Sequence, residues 1–381
     1  MEDFKQIEQE ILNFWEKNKI YEKSKKKNAK GKKFYFLQGP PYTSGKIHIG
    51  QAWNNSLKDI AMRYRRLNGY NVWDRAGYDM HGLPTENAVQ KKLGLKTKEE
   101  IVKYGVNKFV KECMNFSIKY AEMMNQDLKR FGIWMDFDNA YMPVKKEFIS
   151  GQWAFFKKAY EQNRLYKGKK VMYWDQENET ALAKHELEYK SVKDTSIFLK
   201  FKKKNTKNEY FIIWTTTPWT IPFNLAIMAN PEIDYLKIKV DDEYWIIAKD
   251  LAGIFMNSVA GKKYKIIDEF KGSELEGQEY EHFLDKELEG KYEELKKDSK
   301  NIHSIVLSKQ YVDTSSGTGL VHCATGCGPE DEEVGREYGI ATFNTLNERG
   351  EFVEGKFKGW TAKTDDNRFI EYFKRKGNLI A

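Results

Sequence analysis

At 381 residues the chain is about two and a half times the ~150 that mark a single domain, so two or three domains are expected. Hydrophobic residues make up 40% and charged ones 31%, which excludes a disordered chain, and no apolar run approaches the ~18 residues of a transmembrane helix. Lys and Arg outnumber Asp and Glu by 64 to 56, a net charge of +8 that fits a polyanionic partner without identifying one. Cys113, Cys323 and Cys327 give no disulfide framework, and the charged opening Met1–Gln6 lacks the apolar core of a secretory signal. A soluble, cytoplasmic protein with no membrane partner is expected.

In chain order, Phe4, Ile7, Ile11, Phe14, Trp15 and Ile20 recur at helical spacing and predict one amphipathic helix over 4–21. A lysine cluster follows (Lys23, Lys25, Lys26, Lys27, Lys30, Lys32, Lys33), matched later by Lys200, Lys202, Lys203, Lys204 and Lys207. Each reads as a solvated loop or as a phosphate-contacting surface. Phe34–Leu37 reads as a buried strand stopped by Gly39-Pro40-Pro41. The loop Tyr42–Gly50 then opens a helix with Trp53, Leu57, Ile60, Ala61 and Tyr64 on one face, and a second strand, Asn71–Trp73, runs toward Gly77-Tyr78-Asp79. Strand, loop, helix and strand make a βαβ unit, so an open α/β sheet is predicted for roughly the first 170 residues. After about residue 190 the runs become short and β-rich, as at Ser196–Leu199, Tyr210–Trp214 and Tyr244–Ala248, which predicts a compact β-domain.

Two segments of the first region suggest chemistry. Gly39-Pro40-Pro41…His48-Ile49-Gly50-Gln51 lies between a strand and a helix, where free backbone N–H groups suit phosphates and a histidine can stabilise charge in nucleotidyl transfer. It is not a P-loop, because five residues separate Gly39 from Gly45 and Lys46 precedes Ile47. Gly77-Tyr78-Asp79-Met80-His81-Gly82-Leu83-Pro84-Thr85-Glu86 follows the next strand at its C-terminal end, where open α/β sheets bind ligands.

Together these segments resemble the class I aminoacyl-tRNA synthetases, closest to the isoleucyl branch beside its valyl and leucyl relatives. The resemblance implies an incomplete Rossmann-type catalytic domain with an inserted β-barrel editing domain, divided here as 1–190 and 191–381. It implies ATP as a Mg2+ complex, isoleucine and tRNA(Ile) as substrates. Gly39, His48, Gly50 and Gln51 would bind ATP, with His48 and Gln51 acting in catalysis. Pro40, Pro41, Asp79 and His81 would form the amino-acid pocket, Asp79 taking the α-ammonium. The family's signature often ends in a second histidine where this chain has Gln51, which can donate a hydrogen bond but cannot become cationic.

A second pair of segments resembles the family's editing domain: Trp214-Thr215-Thr216-Thr217-Pro218-Trp219-Thr220, and the glycine-rich run from Gly317 to Asp331 containing His322. The stretch Gly272–Tyr280 resembles it as well. By that resemblance Thr215, Thr216 and Thr217 line the editing pocket, Asp331 binds the ammonium of the mischarged amino acid, and His322 excludes the larger cognate side chain. Thr325 stands where the family commonly has proline, which is expected to loosen that turn. The chemistry has a physical motive: one methylene is worth only ~1–3 kcal/mol in a pocket, isoleucine against valine being the standard illustration of that limit. A second hydrolytic site supplies the remaining selectivity, using a positioned water and hydrogen bonds to the developing oxyanion.

Cys323 and Cys327 with His322 make an incomplete zinc set, and the ribbon at 173–183 lacks the Cys-x-x-Cys pair some members carry, so no structural metal is expected. A second lysine-rich ATP loop of Lys-Met-Ser-Lys-Ser type occurs nowhere, so a C-terminal half, in the same or a separate chain, is expected as partner. A valyl or leucyl enzyme, a stand-alone deacylase acting in trans, and a non-catalytic tRNA-binding module remain as alternatives.

Overall fold

A computed structural model describes residues 3–288 and 290–381. The chain divides into two compact units, the first ending at Tyr166 and the second running Lys167–Ala381. By packing, the ribbon at 173–182 therefore belongs with the second unit, where Trp174 Nε1 donates to the Glu348 carbonyl (2.7 Å).

The first unit opens with two helices, α1 (Phe4–Lys17) and α2 (Ile20–Lys27), in place of one. Lys19 between them adopts a left-handed conformation (φ 51°), which a continuing helix does not accept. β1 (Lys33–Tyr35), α3 (Ile49–Leu67) and β2 (Asn71–Trp73) follow, then β3 (Arg75–Gly77), α4 (Leu83–Leu93), α5 (Lys98–Tyr104), α6 (Val106–Arg130), β4 (Asp136–Tyr141) and α7 (Lys146–Glu161). β1 pairs parallel with β2 in register Phe34↔Val72, and β3 pairs parallel with β4, so the expected βαβ crossover through α3 is present. The core between these strands and α6 is methionine-rich: Met62, Met80, Met124 and Met135 pack with Val72, Tyr78 and Leu128.

α3 buries a largely polar face. Its buried side chains are Ala52, Asn55, Asp59, Met62 and Arg66, while Trp53, Leu57, Ile60 and Tyr64 are 56–69% exposed. The polar face has a reason to face inward. Arg66 pairs with Asp74, whose Oδ2 also accepts from Tyr21 Oη (2.8 Å). Asp59 accepts from the Trp134 N–H (2.9 Å), and Arg63 lies over the Trp134 ring (4.0 Å). Lys25, from the first lysine cluster, completes this network at 3.5 Å from Asp74.

In the second unit β5 (Tyr173–Asp175) and β6 (Thr180–Leu182) form the ribbon. Its turn is tied by Asp175, which accepts from the Glu177 and Asn178 N–H groups. The sheet strands are β7 (Ile197–Lys203), β8 (Glu209–Thr215), β9 (Ala226–Ala229), β10 (Asp234–Val240), β11 (Glu243–Ala248), β12 (Lys265–Lys271), β13 (Tyr280–Glu281), β14 (Ser304–Leu307) and β15 (Leu320–Cys323). Helices α8 (Lys249–Phe255), α9 (Lys291–Asp298), α10 (Pro329–Glu337) and α11 (Asp366–Arg375) pack around them. The sheet is curled. From β8 the pairing runs to β7 and β13, steps from Glu279 to Ser304, and returns through β14, β9 and β15 to β8. Phe201, Phe211, Phe223, Phe352, Phe357, Phe369 and Phe373 fill the interior, each worth ~1.5–3 kcal/mol of burial. The second lysine cluster is only partly a loop, with Lys204 and Lys207 in the turn after β7. Lys200, Lys202 and Lys203 lie on β7, and with Lys204 they pair with Glu243, Glu281, Glu209 and Glu279.

Candidate functional site

The loop between β1 and α3 is zipped to the end of β3. Asp79 N–H donates to the Pro41 carbonyl (2.9 Å), and Thr43 N–H donates to the Asp79 carbonyl (3.1 Å). His48 then caps α3. The Gln51 N–H donates to His48 Nδ1 (3.4 Å), and the His48 N–H donates to Gln51 Oε1 (3.1 Å), a reciprocal capping box. Because Nδ1 accepts, the ring proton is assigned to Nε2, which remains free to donate. Gln51 uses its oxygen in the cap, which leaves its amide N–H groups uncommitted among the described residues. A Cβ at position 50 would come within 3.2 Å of His48 Cε1, so a glycine there leaves the ring its place.

A cavity of about 570 Å³ adjoins this cap, lined by Gly39, Pro40, Pro41, His48, Gln51 and Lys58 among others. Asp79 and His81 are not in its lining. Asp79 is partly buried and its charge helps raise the Tyr141 phenol, after burial as the larger cause. His81 is exposed, just before the glycine that precedes α4.

The second site lies where β8 ends beside β15, paired at Trp214 and Val321, which brings Thr215 and His322 to one edge. The chain then turns through a short 3-10 helix over Pro218–Phe223. Thr215 Oγ1 accepts from the Thr217 N–H (3.1 Å) and lies 3.1 Å from Thr217 Oγ1. Thr220 Oγ1 donates to the Thr217 carbonyl (2.7 Å) and contacts His322 Nε2 (3.1 Å). With its own proton committed, that hydroxyl accepts from His322 Nε2–H. His322 Nδ1 is thereby an acceptor, and it is buried with no hydrogen-bond partner. Burial lowers the His322 pKa to about 4, so the imidazole is neutral at pH 7. Thr216 is exposed and outside this chain of hydroxyls.

Asp331 enters from the first turn of α10, and its Oδ2 accepts from the Ala324 N–H (3.1 Å). Burial pushes its pKa up to about 7, with Glu330 adding to the rise and the Ala324 N–H opposing it. No cation offsets it among the described residues. The Thr325 hydroxyl donates to the Ala341 carbonyl (2.6 Å), so threonine ties this loop down where a looser turn was expected. Burial, as the largest cause, pushes the Cys323 and Cys327 thiols up, which leaves neither available as a thiolate. Among the described residues no group of three or more His, Cys, Asp or Glu is placed to hold a metal ion.

A family model described as tRNA synthetases class I (I, L, M and V) matches residues 10–304. The chain belongs to this family. It is 46% identical to an isoleucine–tRNA ligase of Pyrococcus abyssi over 99% of its own length, and 45% identical to one of Methanocaldococcus jannaschii over 99%. It spans 36% and 37% of those two relatives, about a third of their length. A solved structure described as "The crystal structure of GlLeuRS-CP1" overlaps 49% of this chain and 98% of its own, at 13% identity and a TM-score of 0.39, a likeness too faint to argue from.

Within this synthetase chain the structure brings His48, Gln51, Gly39, Gly50, Pro40 and Pro41 together around one cavity. It also joins Thr215, Thr217 and His322 in one hydrogen-bonded chain. Sequence reasoning missed two participants. Thr220 is the link between Thr217 and His322, legible only as an i+3 repeat across a turn whose geometry was not foreseen. Lys58 carries no local signal, since a lysine on the polar face of a helix reads as solvated until the cavity beside it is seen.

Proposed function

We propose that the chain is the N-terminal part of an isoleucine–tRNA ligase that activates isoleucine with ATP and transfers it to tRNA(Ile). The observation that carries this reading is identity of 45–47% to isoleucine–tRNA ligases across 98–99% of the chain. The geometry supports it. His48 Nε2–H, fixed by the helix cap, faces a cavity suited to the phosphates of a Mg2+–ATP complex. An imidazole N–H there stabilises negative charge as the isoleucine carboxylate attacks the α-phosphate and pyrophosphate leaves. Pro40 and Pro41 shape the amino-acid side of the same cavity, and Asp79 with His81 completes that pocket when isoleucine is bound.

Residues 191–381 act as the editing domain, the curled sheet forming its β-barrel and the 173–182 ribbon its connection to the catalytic half at 1–190. There Asp331 meets the ammonium of valyl-tRNA(Ile), and Thr215, Thr216 and Thr217 position water and the ester. Neutral His322, held by Thr220, bounds the pocket against isoleucine. Activation requires a C-terminal portion bearing the second lysine-rich ATP loop. The exposed apolar face of α3, with Trp153 and Phe155 of α7 at 68% and 71% exposure, supports a further apolar layer there.

Amino-acid-dependent ATP–pyrophosphate exchange tests the reading. The chain alone is expected to give little exchange, and with a complementing C-terminal portion isoleucine is expected to drive it. Exchange driven by valine or leucine but never by isoleucine would sink the isoleucyl assignment.

A further inference from the structure

The cavity at the α3 cap has a property that the cap does not explain. None of its lining side chains, among the described residues, is an aspartate or glutamate, yet it holds Lys46, His48 and Lys58. Lys58 lies three turns along α3, and Gln51, Asn54, Asn55 and Lys58 follow one another at helical i, i+3, i+4, i+7 spacing. All four line the cavity, so they form a polar stripe beside the exposed apolar one. Helical side chains lean toward the N-terminus, which carries the lysine back toward the loop. Its Nζ lies 4.0 Å from where a Cβ of Gly39 would stand. Asn55 is already satisfied, accepting from Gln38 Nε2 (3.0 Å) and donating to the Gln51 carbonyl (2.8 Å). Lys58 forms no ion pair among the described residues, and burial alone acts on its ammonium, in the direction of a lowered pKa. A partly buried cation with no counter-ion, at the wall of a cavity with no carboxylate, is arranged for an anion from outside the chain.

We propose that Lys58 is an oxyanion-binding residue of this cavity, its ammonium taking either a phosphate of the nucleotide or the carboxylate of the amino acid. This rests on the reading of the loop as the ATP and isoleucine site. It adds a cation that the loop signature does not contain, supplied by the third turn of the helix.

Binding to the 381-residue chain tests it, with inorganic pyrophosphate followed by 31P NMR line broadening and isoleucine followed by saturation-transfer difference. Lys58→Gln is expected to weaken one of the two ligands roughly tenfold, while Lys58→Arg stays within about threefold of the parent. Weakened pyrophosphate binding assigns the phosphate, and weakened isoleucine binding assigns the carboxylate. Lys58→Met serves as a second neutral variant, and thermal melts matching the parent show that folding is retained. If neither ligand is weakened in the neutral variants while His48→Ala loses pyrophosphate, the Lys58 assignment is overturned and the loop reading stands. If the parent chain binds neither ligand, the loop reading falls and the Lys58 assignment falls with it.

Discussion

Asp331 is a carboxylate whose pKa burial raises to about 7, and in the proposed editing pocket a ligand's ammonium is the charge that would lower it again. Only the ionised form pairs with that ammonium. The kcat/KM for deacylation of valyl-tRNA(Ile) is therefore expected to climb with pH and bend near 7, on top of any general hydroxide dependence. Asp331→Ala should remove the bend and lower the rate by about a hundredfold or more, since losing a charged partner typically costs ~2–5 kcal/mol. A pH–rate profile with no bend between 6 and 8 would contradict this role. Thr220 offers a second residue-level test. Thr220→Val strands the buried His322 Nε2–H, at a cost of ~1–3 kcal/mol. It should also loosen the imidazole, so isoleucyl-tRNA becomes a better substrate for hydrolysis. Unchanged stability and unchanged selectivity would show that the 3.1 Å contact does not hold the ring. The threonine run and Asp331 stood out in the sequence as residue types with a known chemistry. Thr220 did not, because its partner lies 102 residues away and only the β8–β15 pairing makes them neighbours.

At the level of elements, α3 shows that an apolar stripe fixes a helix without fixing the face it buries. The stripe Trp53, Leu57, Ile60 and Tyr64 marks the helix, while the opposite, polar face is the one buried here. The buried face is held by Arg66 and Asp74, both under 6% exposed, with Tyr21 Oη and the Trp134 carbonyl sharing the charges. Asp74→Ala leaves the guanidinium buried and unpaired, a change that typically costs ~3–5 kcal/mol. Urea unfolding of that variant should lose several kcal/mol, and replacing both members with Arg66→Met and Asp74→Leu should recover much of it. A loss under 1 kcal/mol for Asp74→Ala would mean that water already reaches the pair. Helix existence and approximate bounds were legible because spacing alone decides them. The inward turn of a polar face was not, because it depends on Asp74 lying between β2, which pairs with β1, and β3, which pairs with β4, and so being carried beside Arg66.

For the whole molecule, three of the six histidines share the interior of the second unit. The His282 and His303 rings lie 5.1 Å apart, tilted at 34°, and burial lowers His282 well below its usual value, His303 to about 3 and His322 to about 4. The unfolded chain takes up protons on these rings below about pH 6.5, while the folded chain does not until far lower. Their stabilisation is thus present above about 6.5 and is lost as pH falls toward 4. Asp331, raised to about 7, works in the opposite sense, but it is one group against three. Urea midpoints followed by circular dichroism should therefore drop between pH 7.5 and pH 5, and an equal or higher midpoint at pH 5 would overturn the argument. The sequence by itself determined the family, the loop with His48 that opens a helix and the β-rich texture of the second half. These follow from local residue types at fixed short spacing, which act through the backbone regardless of distant context. Only the tertiary structure decided which face of α3 is buried, that the lysines of β7 are neutralised by cross-strand carboxylates, and that Thr220 and Lys58 reach the two sites. Those facts depend on burial and on partners far apart in the chain, and neither is written in any single stretch of residues.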